Sequence, residues 1–473
     1  MATAKVKEGD AVFALVDNLA NVKYGDLPVE AIRTTKMDIL DTLGVAIAAS
    51  TTAPACKKMV DLVRDIGGRE ESTIISYGGK VPSHMASFAN AALAHALNYD
   101  DFHDSLITHF GCIIFPAAIA MAERVGRVSG KEFITAYTLS LDLAARLVRA
   151  LITKGEQRDW NRYGWVLTQL VGYFSAAAVS GRLQGLSEMQ LVDALGLAYS
   201  QVAGNKQLMV GPGADKGIYP SYPALSGVLA VLMAQKGIAG SKESLEGQSG
   251  LYNVYFQGAY DPAPLTKDLG KSFEGVGFHL YPSCTLSHST IELALKIANE
   301  YQVHPDDIES VTVFAGPKSR FLCEPLDIRR NPRIMAEAQY SLPFTVATAI
   351  SKGKPRIEHF TSQGIKDPEI LGLSNKVGYR FDDVCDMQYG TGICPAKIEI
   401  KLKNGRALDS EQNSRRYGHP ERPISMDDLI EKFKECATYS LKPLSKGVVE
   451  QVIKMIDKLE EVEDVSRLIR LIS

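Results

Sequence analysis

The chain has 473 residues, of which 45% are hydrophobic and 23% charged; it is too long for a single core and too apolar for a disordered polymer, so about two domains are expected. Lys and Arg total 52 against 55 for Asp and Glu, and no basic run stands out, which argues against a nucleic-acid binder. An anionic small molecule would have to be met by local positive charge.

The N-terminus lacks an apolar core and a cleavage site, so no signal peptide is expected. Apolar stretches stop short of a membrane span. The expected location is cytoplasmic. Ile32, Ile39, Leu40, Leu43 and Ile47 recur at helical spacing. Residues 85–97 form an Ala-rich helix that ends at Asn98-Tyr99-Asp100-Asp101. The next helix is expected to begin around Pro116, since Pro suits a first helical turn. Ser129-Gly-Lys-Glu132 and Ser187-Glu-Met-Gln190 read as capping boxes before two further helices. Residues 225–235 make a strongly apolar helix, with Gly237 suited to its C-terminal cap. Small residues such as Ala86, Ala89, Ala92 and Ala94 let helices approach closely. The expectation is a buried bundle in which two or three helices are apolar all round.

The pattern changes near residue 265. Residues 309–315 (ESVTVFA) and 396–402 (AKIEIKL) alternate like strands. Asn404-Gly405 marks a hairpin turn. Residues 289–301 and 336–350 read as helices, so this stretch is α+β. Helical periodicity returns from Ser425. The fold class expected is therefore mainly α: a large all-helical domain with an inserted, smaller α+β domain. The first helical part spans residues 1–265, an α+β lid 266–415, and returning C-terminal helices 416–473.

Seven cysteines, odd in number and without a CxxC pair, fit buried thiols rather than a disulfide framework or a zinc ribbon. Three of the nine histidines, His95, His103 and His109, lie with Asp100 and Asp101 in one 15-residue stretch. A loop between buried helices is a natural place for catalytic groups. The following helix offers free amides and a positive dipole end to a carboxylate ligand. The plainer alternative is that the acids cap or salt-bridge and the histidines are ordinary loop residues. A metal site is a second alternative, because Asp-Asp-x-His offers oxygen and nitrogen ligands, but no partner cluster of the HExxH kind accompanies it.

Lys216 follows Gly211 and Gly213 in a loop that could bind a carboxylate or phosphate, although the spacing is not that of a Walker A motif; a solvated Lys is the alternative. Gly277 to Cys284, with His279 and Tyr281, opens the α+β stretch, where an inter-domain cleft would sit. A Tyr-Pro turn with a structural His is the alternative there.

In order along the chain stand Leu40-Asp-Thr-Leu-Gly44, His95-Ala-Leu-Asn-Tyr-Asp-Asp101, Ala194-Leu-Gly-Leu-Ala198 and Gln201-Val-Ala-Gly204. Asp215-Lys216, Ser226-Gly-Val-Leu-Ala230, Tyr281-Pro-Ser-Cys284 and Gly418-His-Pro-Glu421 follow. With this text the sequence resembles the MmgE/PrpD family, which includes 2-methylcitrate dehydratases, cis-aconitate decarboxylases and iminodisuccinate epimerases. The resemblance implies the two-part fold above and a homodimer with its site between the domains. It also implies a small carboxylate substrate and no metal or organic cofactor. It places His109 and Lys216 in the substrate pocket and Asp101 on an acidic family position beside Asp100. The chain departs from the family at Asn98 (an acid), Val166 (a histidine), His279 (a lysine or other base) and Tyr219 (often a histidine).

The reactions of such a family share proton movement, or charge build-up, at a carbon next to a carboxylate. That needs an acid or base near the working pH and cations to hold the developing charge. His109 or His103 is expected to move the proton, with Asp100 or Asp101 orienting it. Lys216 and His279 would hold carboxylate oxygens, and Asn98, Tyr219 and Tyr281 complete the candidate substrate contacts. The function expected is a cofactor-independent lyase, dehydrating or decarboxylating an aconitate- or methylcitrate-like acid. An epimerase of a dicarboxylate is one alternative. A non-catalytic ligand-binding member, favoured by the ionisable groups missing at Asn98 and Val166, is another.

Overall fold

The computed structural model describes residues 9–152, 164–210, 215–270, 273, 275–388 and 391–473, with the backbone alone at Met209, Val210 and Lys216. The first half is helical. The Ser83–His95 helix buries every side chain but His84 and Phe88. Its alanines let it sit among the Val29–Thr52, Gly111–Val125 and Ser221–Gln235 helices. Ser221–Gln235 in turn crosses Leu167–Leu183 so closely that a Cβ on Gly227 would collide with Ala176 and the amide of Ala177. A helix packed on all sides has no need of a polar face. No single helix among the described residues is long and apolar enough to cross a membrane.

Three local expectations need correction. The helix after His109 starts at Gly111, and Pro116 lies inside it. The Asp101 carboxylate, accepting the N–H groups of Phe110 and Gly111, starts the helix one turn earlier than the proline would. At Ser129 only half a capping box forms: Ser129 Oγ accepts the Glu132 N–H, but the Glu132 carboxylate is taken by Arg182 at 2.8 and 3.2 Å. The Ser187 box is complete. The helix read over residues 336–350 is two helices, Met335–Gln339 and Leu342–Lys352. The break falls at Ser341, whose side chain caps the second by accepting the Phe344 N–H.

The second half carries a four-stranded sheet in the order Val377–Phe381, Ile308–Ala315, Ala396–Leu402, Ala407–Gln412. The first pair is parallel and the others antiparallel. The two alternating stretches are its central strands. Val377–Phe381 was not legible because it is an edge strand whose burial does not alternate. The His288–Tyr301 helix packs on this sheet.

The C-terminal helices fold back onto the first. Met426–Ala437 lies along Val29–Thr52, with Phe433 3.0 Å from where a Gly44 Cβ would stand. The Gly130 N–H donates to the Val462 carbonyl at 2.8 Å. The contact carries charge too: Lys432 Nζ is 2.5 Å from Asp41 Oδ1, and both side chains are buried.

Candidate active site

Adjacent carboxylates in one chain point to opposite faces and take different work. Asp101 faces the helix that follows: its Oδ2 and Oδ1 accept the N–H groups of Phe110 (3.0 Å) and Gly111 (2.9 Å). Asp100 faces the helix that precedes. Its Oδ2 lies 2.8 Å from His95 Nδ1 and 3.1 Å from His109 Nδ1. His95 is the last residue of the Ser83–His95 helix, so five residues of turn bring Asp100 back over it. His109 is fixed from a third element, its backbone N–H donating to Thr168 Oγ1 at 3.0 Å. The two imidazoles meet edge to face with centroids 4.6 Å apart, and the Phe102 ring stands 5.0 Å from His109.

This packing separates the titrations. Burial alone would raise the Asp100 carboxyl, but His95 and His109 outweigh it and hold it well below the usual carboxylate range. Burial works against charge on His109; Asp100, by charge and hydrogen bond, reverses that and raises its pKa. His95, where burial wins, is lowered. Asp101 is pushed up to about 7 by burial and by the charge of Asp100. Charge is thus favoured on His109 beside Asp100 and disfavoured on His95, whose ring donates to the same oxygen. Groups pushed apart in this way mark acid and base roles. His109 Nδ1 is turned to Asp100, which leaves Nε2 for a ligand.

His109 lines a cavity of about 930 Å³ between the helical half and the α+β half. Asn98, Thr168 and Tyr219 share its wall, and Thr285, Lys318 and Phe321 face them from the second half. Asn98 has the left-handed φ of +47°, and its buried Nδ2 has no hydrogen-bond partner. An unmet donor at a cavity wall suits a polar ligand.

The other candidates are placed differently. His103 is buried with its ring 6.0 Å from Phe110, and is not in the cavity wall. Its backbone closes the site loop, with the His103 N–H donating to the Thr108 carbonyl at 2.8 Å. His279 is fully buried, with Nδ1 3.1 Å from the Asn98 carbonyl and Nε2 2.5 Å from Thr285 Oγ1. Burial and the neighbouring His288 and Arg416 push its pKa well below the ordinary value. A neutral ring then donates from Nδ1 and accepts the Thr285 hydroxyl at Nε2. Both nitrogens are thus spent on positioning two residues of the wall. Tyr281 lies edge-on to His288 at 5.0 Å, outside the wall. The Lys216 backbone begins the Lys216–Ile218 turn, which packs on Ala96. Gly211 to Ala214 of its loop lie outside the described residues.

His95, Asp100 and His109 offer three ligand atoms within 4.8 Å of one another. The His95 ring donates to the Asp100 oxygen while His109 Nδ1 stands 3.1 Å from it, and a cation there would have to displace that hydrogen bond and that charge contact.

Sequence reasoning missed the support beneath this site. Lys432 donates to the carbonyls of Tyr99 and, at 2.9 Å, His279, besides pairing Asp41. Asp38 accepts the Tyr137 hydroxyl at 2.8 Å. Arg416, fully buried, grips Asp104 at 2.6 and 2.9 Å and the Phe278 carbonyl at 2.6 Å. The signal available was Asp38 and Asp41 standing in the apolar run of Val29–Thr52, because buried acids require partners.

The helical half matches the model of the MmgE/PrpD N-terminal domain over residues 14–263, and the second half that of the MmgE/PrpD C-terminal domain over residues 281–458. The chain belongs to the MmgE/PrpD family. Among its relatives, the cis-aconitate decarboxylase of Homo sapiens is 25% identical, covering 95% of this chain and 92% of the relative. The cis-aconitate decarboxylase of Aspergillus terreus (strain NIH 2624 / FGSC A1156) is 23% identical over 94% of this chain and 92% of its own. A cis-aconitate decarboxylase-like protein of Aspergillus oryzae is 23% identical over 100% and 99%. In this MmgE/PrpD chain the His109–Asp100 pair falls within the N-terminal match, while Thr285 and Phe321 of the opposite wall fall within the C-terminal one.

Proposed function

We propose that this MmgE/PrpD protein is a lyase acting on a small polycarboxylic acid, with His109 as the proton-transfer residue and Asp100 its positioning partner. The observation that carries the reading is the Asp100 oxygen that lies against both His95 and His109, with His109 at the wall of the 930 Å³ cavity. The relatives named cis-aconitate decarboxylase support the substrate class.

In decarboxylation the bond to the departing carboxylate breaks, carbon dioxide leaves, and the electron pair stays on carbon, where a neighbouring carboxylate conjugated to it takes up the charge. His109, charged through Asp100, delivers its Nε2 proton to that carbon, and water recharges it. In dehydration the same proton would go to the departing hydroxyl, while the adjacent carbon, acidified by its carboxylate, gives up its proton to water and its C–H electron pair to the new double bond. The Asn98 amide is an unspent donor for a carboxylate oxygen. The reading uses side chains only and calls on no cofactor. Lys216 is retained as a substrate contact on the strength of the family resemblance.

A proton NMR time course in D₂O tests this, with citrate, 2-methylcitrate, cis- and trans-aconitate and malate-type acids. Loss of a carboxyl carbon, or a new alkene formed with loss of water, is expected. Deuterium entering an intact skeleton would replace the lyase with an epimerase. No change across the panel would overturn the proposal.

A further inference from the structure

The described wall of the 930 Å³ cavity carries the cations Lys206, Lys318 and Arg320, the last two on one turn. Two are already neutralised. Lys318 Nζ is 2.7 Å from Asp386 Oδ2 and donates to the Met387 carbonyl at 2.9 Å. Arg320 Nε is 2.8 Å from Glu324 Oε2, and Glu324 also accepts the Tyr379 hydroxyl. Lys206 is different. Its ammonium lies 5.7 Å from the centre of the Phe321 ring, and it has no carboxylate partner among the described residues. The ring face gives it a weak electrostatic seat and supplies no acceptor.

Its place is set by the backbone. Trp165 and Asn205 form an isolated antiparallel bridge, and the Lys206 N–H donates to the Gly164 carbonyl at 2.7 Å. That bridge puts Lys206 on the same wall as Val166 and Thr168, the residue that holds the His109 amide. His109, at the wall, has the Asp100 carboxylate behind it at 3.1 Å. Among the described side chains of this wall, Lys206 is thus the cation without a carboxylate partner, and an anion entering a partly dry space needs a cation of its own.

We propose that Lys206 is the specificity-determining residue of the cavity, holding a substrate carboxylate remote from the carbon at which His109 acts. The proposal rests on the lyase reading for the role of His109, but not for the binding itself. It selects acids with at least two carboxylates, one at the reacting end and one for Lys206. A flexible ammonium meets a carboxylate as a point charge, so acids of differing length are accommodated.

Two measurements on the full chain test it: turnover of the best substrate from the panel, and calorimetric binding of tricarballylate, a saturated tricarboxylate with no alkene or hydroxyl to react. Lys206→Met keeps the stem and removes the charge. It should weaken tricarballylate binding and raise KM by roughly 10–100-fold, the loss of one charge-assisted contact. Its kcat should stay within about threefold. Lys206→Arg should restore most of the affinity, which a merely structural role would not require. Tricarballylate binding within twofold of wild type in Lys206→Met overturns the proposal, as does no binding to the wild-type protein. The lyase reading fails separately: an enzyme silent on every substrate that still binds tricarballylate through Lys206 keeps this inference and loses that one.

Discussion

Asp100, fully buried, and His109, at the cavity wall, are held with Oδ2 and Nδ1 3.1 Å apart, nine residues from one another in the chain and on opposite sides of the Asp101 cap. That spacing makes His109 a stronger base than free imidazole and fixes which nitrogen reaches the cavity. Replacing His109 with Ala should lower kcat roughly 10²–10⁴-fold. Near-wild-type turnover would remove it from the mechanism.

The same pair sets a pH dependence. The folded pKa of His109 is raised, Asp100 more than offsetting burial. Acting as an acid, His109 is competent below that pKa, and activity falls as pH rises through it. Asp100→Asn takes away the carboxylate, so the alkaline limb of kcat should move to lower pH. A limb that stays in place in that variant would show that another group controls it.

Asp101 gives stability a pH dependence of its own. Its carboxyl moves from 3.8 to about 7, burial being the larger cause and Asp100 the next. The folded state therefore keeps the proton longer than the unfolded chain. The Asp101 contribution to stability is complete below pH ~4 and is lost as pH rises to about 7. Asp101→Asn, neutral throughout, should flatten the slope of unfolding free energy between those limits. Urea denaturation at pH 4.5 and pH 7.5 measures it, and an unchanged slope counts against the assignment.

Lys432 is the only cation within hydrogen-bonding reach of Asp41 among the described residues. Removing one member of a buried pair leaves the other unpaired, at a cost of about 3–5 kcal/mol. Lys432→Met should destabilise the protein by that amount, and adding Asp41→Asn should recover part of it. Additive losses in the double variant would show that the two do not interact.

Asn98 faces the cavity with an unmet donor. Asn98→Ala should raise KM for a polycarboxylate roughly tenfold, since it removes the donor. Equal KM values would turn Asn98 away from the substrate.

The legible part of this site was local. Residues 95–109 hold His95, Asp100, Asp101 and His109 close in the chain, so composition alone exposed the cluster. The division of labour within it was not legible. Asp100 and Asp101 are identical side chains one residue apart, and only the backbone path decides which caps a helix and which binds imidazole. His279 reads as a contact for a carboxylate oxygen, its charge undecided by the sequence, yet burial pushes its pKa well down and its two nitrogens serve Asn98 and Thr285.

By itself, the amino-acid sequence determined the mainly helical character, the alternating strands Ile308–Ala315 and Ala396–Leu402, and the collinear text of the MmgE/PrpD family. Each depends on residues within a few positions of one another, where periodicity and capping act. Tertiary structure alone decided that Lys432 reaches the Tyr99 carbonyl 333 residues away, that Arg416 holds the site loop through Asp104, and that Lys206 shares a cavity with His109. Such contacts follow from how buried helices close on one another, and no spacing along the chain encodes them.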